Sequence, residues 1–366
     1  MKYNASVVGG GTAGLIAAKK IASYGIETHV YDQKKRLGYP VRASGILSIK
    51  GLKGLGIDYS KCITNALYGA NIHCDGKTMK IRSKKPIAHV LEREGLNNVC
   101  RDEAEKAGAV IITGMRISGN ELEKFRDEGV VMGADGAVSN VASHFKLGSI
   151  KRFALTYKAE FNVESEDSGV VELFFDNRIY KGLFAWLAPN AKDILEVGVG
   201  VDSRYGNAKS SFDSFIKSEY VKRIIYNKKM LDSGASVIPM GMRNRIVDEE
   251  KGVLLVGDAA GQVKQSTGGG IIFGGNAAIK AGEAVYNYMK SGSGLDEYEK
   301  AFRKEFGLDI RLHGAINRIY SSMGNRAFGN ALSVMNRLGI DKFLGAYGDM
   351  DRPSLILRRF FLRSLA

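Results

Sequence analysis

Proline is scarce in this chain, with five residues in 366, and cysteine is scarcer still. The three cysteines, Cys62, Cys74 and Cys100, cannot all pair with one another, and their spacing matches no metal-ligating pattern. A disulfide scaffold and a zinc module are therefore excluded, and no metal is expected. The composition fits a reducing interior, with a Cys62–Cys74 bridge left open by its spacing. No run reaches the roughly 18–20 apolar residues that a membrane-spanning helix needs. No secretory signal stands ahead of the first strand, because residues 2–8 run directly into a glycine turn. The expected location is the cytoplasm, with peripheral contact at a membrane left open.

Acidic residues are also in deficit, 39 against 53 lysines and arginines, which gives a formal net charge of +14. Nucleic acid, an anionic membrane surface or a plain solvated basic face would each account for that surplus. The sequence carries no helix-turn-helix, zinc or RNA-binding signature, so nucleic acid is set aside as a partner.

Glycine is abundant instead: 45 residues, with the informative ones gathered in three clusters. Such a surplus indicates backbone held close to a ligand or packed into tight turns. The length exceeds one typical domain and favours two lobes sharing a ligand. Ala5-Ser6-Val7-Val8 reads as a short apolar strand, Ala13 to Tyr24 as a helix, and Thr28-His29-Val30-Tyr31 as a second strand ending on Asp32. Residues 33–60 look irregular, broken by Gly38-Tyr39-Pro40. Residues 64–90 look strand-like with a hairpin turn at Gly76, and 96–107 look helical. From 151 to 245 the pattern is strands, apart from helical signals at 207–230. Val253-Leu254-Leu255-Val256 is a fully apolar, parallel-type strand. A glycine loop, a helix near 271–290 and a mostly helical, basic tail follow.

The first glycine cluster is Gly9-x-Gly11-x-x-Gly14, which includes Ala13, set between strand and helix. Glycines there permit a tight turn and bring a pyrophosphate close to the helix N-terminus. Asp32 lies 18 residues past Gly14, where a carboxylate can accept ribose hydroxyls. This fingerprint alone does not separate NAD from FAD. The second cluster, Val256-Gly257-Asp258-Ala259-Ala260-Gly261, closes the late apolar strand. With the first it resembles the FAD-containing hydroxylase and reductase superfamily, whose late Gly-Asp contacts the ribityl and pyrophosphate portion. Gly133-Ala134-Asp135-Gly136-Ala137-Val138-Ser139 resembles that superfamily's internal Asp-Gly motif, with a partly structural role.

Two further segments narrow the resemblance to the archaeal-type geranylgeranyl reductases. Thr267-Gly268-Gly269-Gly270-Ile271 looks like the loop that lies along the flavin in that family. Phe184-Ala185-Trp186-Leu187-Ala188-Pro189 resembles its aromatic-x-Trp-x-x-Pro pattern, which places Phe184 and Trp186 in the substrate pocket. The family's Pro-Val-x-Cys-Ala-Gly pattern appears as Pro40-Val41-Arg42-Ala43-Ser44-Gly45, with alanine in place of the cysteine. The resemblance implies that Arg42, Ala43, Ser44, Gly45 and Arg93 join Gly9, Gly11, Ala13, Gly14, Asp32, Gly257, Asp258 and the 268–271 loop around FAD. Gln265 and Asn98 replace a family Pro and a family Arg.

The fold class implied is α/β: an FAD-binding Rossmann-like βαβ domain, an inserted strand-rich substrate domain and a helical C-terminal region. Boundaries fall at 1–150 and 246–294 for the discontinuous FAD domain, 151–245 for the substrate domain and 295–366 for the helical region. The implied activity is reduction of carbon–carbon double bonds in a geranylgeranyl or related isoprenoid lipid. The electron donor stays open between a reduced nicotinamide and a ferredoxin-type protein. No catalytic residue is named; water and Tyr180 are candidate proton sources. A flavin-dependent monooxygenase or halogenase is the alternative enzyme, and a non-catalytic prenyl-binding escort the alternative outside catalysis. Residues 352–366 set Arg352, Arg358, Arg359 and Arg363 among leucines and phenylalanines. That segment reads equally as a helix in lipid headgroups or as a final helix docked on the core.

Overall fold

The computed structural model describes residues 4–41 and 43–364, with side chains as far as 360. Three sheets organise the chain. The first has six strands in the order β15 (Val247–Asp248), β16 (Val253–Leu255), β9 (Gly129–Gly133), β1 (Asn4–Val8), β2 (Glu27–Asp32) and β8 (Val110–Thr113), numbered along the chain. All neighbours are parallel except β15 with β16. Parallel strands need crossovers that cover both faces, so β1, β9 and β16 are buried along nearly their whole length. The helices Thr12–Ala22 and Ile271–Ser291 pack on this sheet, with Leu15, Ile16, Phe273, Ala277 and Ala281 in one core.

The second sheet has seven strands, β14 (Met230–Pro239), β10 (Phe153–Asn162), β13 (Ile194–Asp202), β12 (Ala185–Ala191), β11 (Val170–Phe174), β5 (Gly69–Cys74) and β6 (Lys77–Arg82). Two of its strands come from residues 69–82, so membership of this sheet does not follow the expected boundary at 151. They form the hairpin expected at Gly76, where Asp75 and Gly76 both take positive φ. The third sheet is small: β3 (Ile46–Ser48), β7 (Ala88–Leu91) and β4 (Ile63–Leu67). It occupies part of the stretch that looked irregular.

Strand β13 shows how the second sheet is faced. Side chains alternate along a strand, so Val197, Val199 and Val201 share one side while Glu196, Gly198 and Gly200 share the other. Val197 and Val199 pack with Phe212, Phe215 and Val221 from the helices Ala208–Ile216 and Glu219–Ile225. Those helices meet the expected signals at 207–230. The glycine side is turned toward the 43–45 segment.

In the helix Glu297–Ser322, Tyr298, Phe302, Phe306 and Ile310 recur every four residues and enter the main core. Leu308, Ile316 and Ile319 of the same helix are exposed. All three cysteines are free and buried, with Cys62 and Cys74 in different hydrophobic clusters, so the bridge left open by spacing does not form.

Candidate cofactor site

The first turn is built by close backbone approach. Gly9, at φ +114°, lies so near the Ala134 carbonyl that an added Cβ would sit 2.2 Å from its oxygen. The Asp-Gly segment thus packs directly on the glycine turn. A Cβ on Gly14 would meet the Gly9 carbonyl at 2.0 Å, so that glycine closes helix against strand. Gly11 faces open space, and the helix begun at Thr12 has no side-chain cap. Its first N–H groups are available to an anion.

Asp32 accepts the Gly10 N–H at 2.7 Å and the Lys34 N–H at 2.8 Å, which fixes its carboxylate beside the turn. A cleft of about 480 Å³ lies beyond this strand end, lined by Lys35, Arg36, Leu37, Glu94, Asn98 and Arg101 among others. Buried Asn97 was missed in the sequence. It accepts the Thr12 hydroxyl at 3.0 Å and donates to the Gly10 carbonyl at 3.4 Å, locking the helix Arg93–Lys106 onto the turn.

The second motif packs on the start of the first helix. Gly257, at φ +64°, packs against the Ala13 methyl, with a Cβ position 3.0 Å away. Its N–H is taken by buried Gln262, which in turn donates to the Tyr298 hydroxyl at 2.6 Å. Burial pushes the Asp258 carboxyl up to about 6, and the positive charge of Arg93 opposes that shift. Burial lowers the Arg93 guanidinium, and its Nη1 is a buried nitrogen with no hydrogen-bond partner among the described residues. Asp135, by contrast, is consumed locally: it accepts Ser139 Oγ at 2.6 Å and the N–H groups of Asn140 and Val141.

Gly268, Gly269 and Gly270 lead into Ile271, where the long helix begins. An added Cβ on Gly270 would come within 2.6 Å of Asp258 Oδ1, and one on Gly268 within 2.8 Å of Ile238 Cδ1. The loop therefore bridges the Asp258 side and the second sheet. Beneath it, the ammonium of buried Lys264 pairs with Asp351 at 2.7 Å, and Ser48 donates to the other Asp351 oxygen. Lys264 and Asp351 also went unnoticed in the sequence.

Phe184 and Trp186 share one apolar cluster with Leu183, Ile238 and Met240, next to that loop. The Trp186 ring lies over Gly198, whose Cβ would fall 2.1 Å from the indole. Ala43, Ser44 and Gly45 precede β3, whose Ile46 packs in a cluster with Trp186. Gly45 abuts the Leu91 carbonyl. Arg42 lies outside the described residues. Tyr180 is not in this cleft: it packs with Phe212 and Phe215 on the helix-covered face of the sheet, and burial raises its hydroxyl well above the ordinary value.

These features belong to a flavoprotein. The FAD binding domain family matches residues 2–306. Digeranylgeranylglycerophospholipid reductase 1 of Methanothermobacter thermautotrophicus is 31% identical over 333 residues, spanning 83% of this chain and 83% of that protein. The chain belongs to the geranylgeranyl reductase family of FAD-binding proteins. A geranylgeranyl bacteriochlorophyll reductase-like protein from Thermoplasma acidophilum superposes with a TM-score of 0.77 at 21% identity, covering 97% of this chain and 95% of that one. A flavin-dependent brominase shares the fold at a TM-score of 0.66 and 15% identity, with 99% of each chain covered.

The residues present fit FAD, the cofactor of this family. The open Gly11 turn and uncapped helix suit a pyrophosphate, and the unpartnered Arg93 nitrogen is aimed at no protein acceptor. An orphaned buried guanidinium nitrogen is costly without a partner, so a bound polar group accounts for it.

Proposed function

We propose that the protein reduces carbon–carbon double bonds in the prenyl chains of a geranylgeranyl-type glycerophospholipid. The observation that carries this reading is the loop at 268–270, which meets Asp258 on one side and the Ile238–Trp186 apolar wall on the other. Residues assigned to the cofactor and a prenyl-compatible wall meet there. Gly9, Gly11, Ala13 and Gly14 would hold the pyrophosphate, Asp32 the ribose hydroxyls, and Gly257 with Asp258 the ribityl chain. Arg93, the 43–45 turn and the 268–271 loop would frame the ring. FAD, when reduced, supplies a hydride equivalent. Trp186 and Phe184 orient an apolar chain and exclude water, which raises the effective concentration of the double bond at the site.

Delivery of such a lipid calls for a membrane-facing surface. The helix Pro353–Ser364 exposes Leu355, Leu357, Arg358, Arg359 and Phe360, and its first turn is tied to the helix bearing exposed Leu308, Ile316 and Ile319. Apolar side chains interleaved with arginines suit an anionic headgroup layer. No described helix is long and apolar enough to cross a membrane.

The test is anaerobic incubation with dithionite and digeranylgeranylglycerophospholipid, followed by mass spectrometry. The expected product carries two added hydrogens per reduced bond and forms without oxygen. A product that forms only with oxygen would move the protein to the monooxygenase and halogenase side of this fold.

A further inference from the structure

Ion pairs are seldom retained in a protein interior for stability alone, because desolvation offsets most of the attraction between the charges. Yet Lys158 and Glu196 are both buried on the glycine side of the second sheet, 2.6 Å apart. Glu196 Oε1 accepts two further bonds. One comes from the Trp186 indole Nε1–H at 2.7 Å, and the other from the Ser44 hydroxyl. Oε2 takes the Lys158 ammonium, and Lys158 also reaches half-buried Glu160 at 3.3 Å. Burial alone would raise the Glu196 carboxyl, but the adjacent Lys158 charge and these donors hold it below the usual carboxylate range.

We infer that Glu196 is a positioning residue: through one carboxylate oxygen it fixes the Trp186 indole against the Ala43–Ser44–Gly45 turn. The inference rests on the reading of Trp186 as the prenyl-facing wall. The indole can lie flat on the sheet only because position 198 is glycine. That leaves rotation and sliding in its own plane, and the bond to Glu196 removes both. Ser44 applies the same restraint from the flavin lobe, across 152 residues of sequence. Lys158 keeps the carboxylate charged and therefore a strong acceptor for both donors.

The chain has one tryptophan, so the FAD-loaded, nitrogen-15-labelled protein gives a single indole N–H resonance. Glu196→Gln should move that resonance upfield, because a neutral amide oxygen is the weaker acceptor. Ser44→Ala should move it downfield, since the indole then has Oε1 to itself. Glu196→Gln should lower kcat for prenyl-lipid reduction about ten- to hundredfold, the scale of a misplaced wall. Should Glu196→Gln fail to fold, Ser44→Ala decides alone, because it leaves the Lys158–Glu196 pair intact. An unmoved resonance in Ser44→Ala overturns the positioning role. A wild-type protein that reduces no prenyl lipid overturns the functional reading instead, and the resonance still judges Glu196.

Discussion

Two buried lysine–carboxylate pairs lie beside the residues assigned to the site, and they differ in what they hold. Lys158–Glu196 joins neighbouring strands of one sheet and organises the apolar wall. Lys264–Asp351 joins the glycine loop to a residue near the end of the chain. Their lengths are nearly equal, 2.6 and 2.7 Å, and all four groups are almost fully buried. Similar electrostatics therefore act at two places, one at the Trp186 wall and one at the cofactor loop.

Breaking either pair from one side should cost about 3–5 kcal/mol, since the remaining charge stays buried. The comparison predicts different losses of function. Asp351→Asn should release Lys264 beneath Gly269 and lower FAD affinity together with stability. Lys158→Met should lose comparable stability but a smaller share of FAD affinity, because it reaches the cofactor turn only through Glu196 and Ser44. Denaturant titration with flavin fluorescence measures both, and equal losses of FAD from the two variants would erase the distinction.

A smaller effect separates Asp258 from Asp135. Asp258→Ala should weaken FAD binding by about 1.5–3 kcal/mol, the size of a hydrogen bond to a charged group. Asp135→Ala should affect it less, because that carboxylate is spent on capping the helix Asn140–His144. Equal dissociation constants for both variants and the wild type would refute the assignment.

The raised Asp258 carboxyl also gives a pH signature. Its folded value of about 6 exceeds the ordinary 3.8, so the folded apoprotein binds this proton more tightly than the unfolded chain does. The stability it contributes is complete below the ordinary value and lost as pH rises through about 6. Asp258→Asn removes that loss, so Tm of the apoprotein should fall less across this window than in the wild type. Parallel Tm profiles would place the titration elsewhere.

The smallest expected effect on stability comes from truncation after Ser354. Asp351, Arg352 and Ser354 are retained, with their bonds to Lys264 and Asp309, while the exposed Leu357–Phe360 stretch is removed. FAD and Tm should persist, and co-sedimentation with anionic vesicles should fall. Unchanged vesicle binding would discard the membrane-facing role of this helix.

The sequence exposed those parts of the site that rest on local spacing. Gly9 to Gly14, Asp32, Gly257–Asp258 and the 268–271 loop each sit within a short stretch whose glycines must meet backbone or ligand. Asn97, Gln262, Glu196 and Asp351 were not visible, because their partners lie up to 303 residues away and only the tertiary fold brings them together. One clue was present: Glu196 directly precedes an alternation of valine and glycine, where a lone charge on the small-residue face needs a partner. The helical tail is docked through Ser354 at its first turn, while its described side chains from Leu357 to Phe360 are exposed.

The chain enters and leaves the seven-stranded sheet twice, first at residues 69–82 and again from 153 to 239. The two lobes are therefore stitched together by the polypeptide itself. Neither can be excised as one contiguous fragment, and a clam-shell opening would have to flex four connections in concert. Under the proposed function, a long lipid tail would enter by side-chain and loop yielding at the rim, and engineering of chain-length preference would belong there rather than at a hinge.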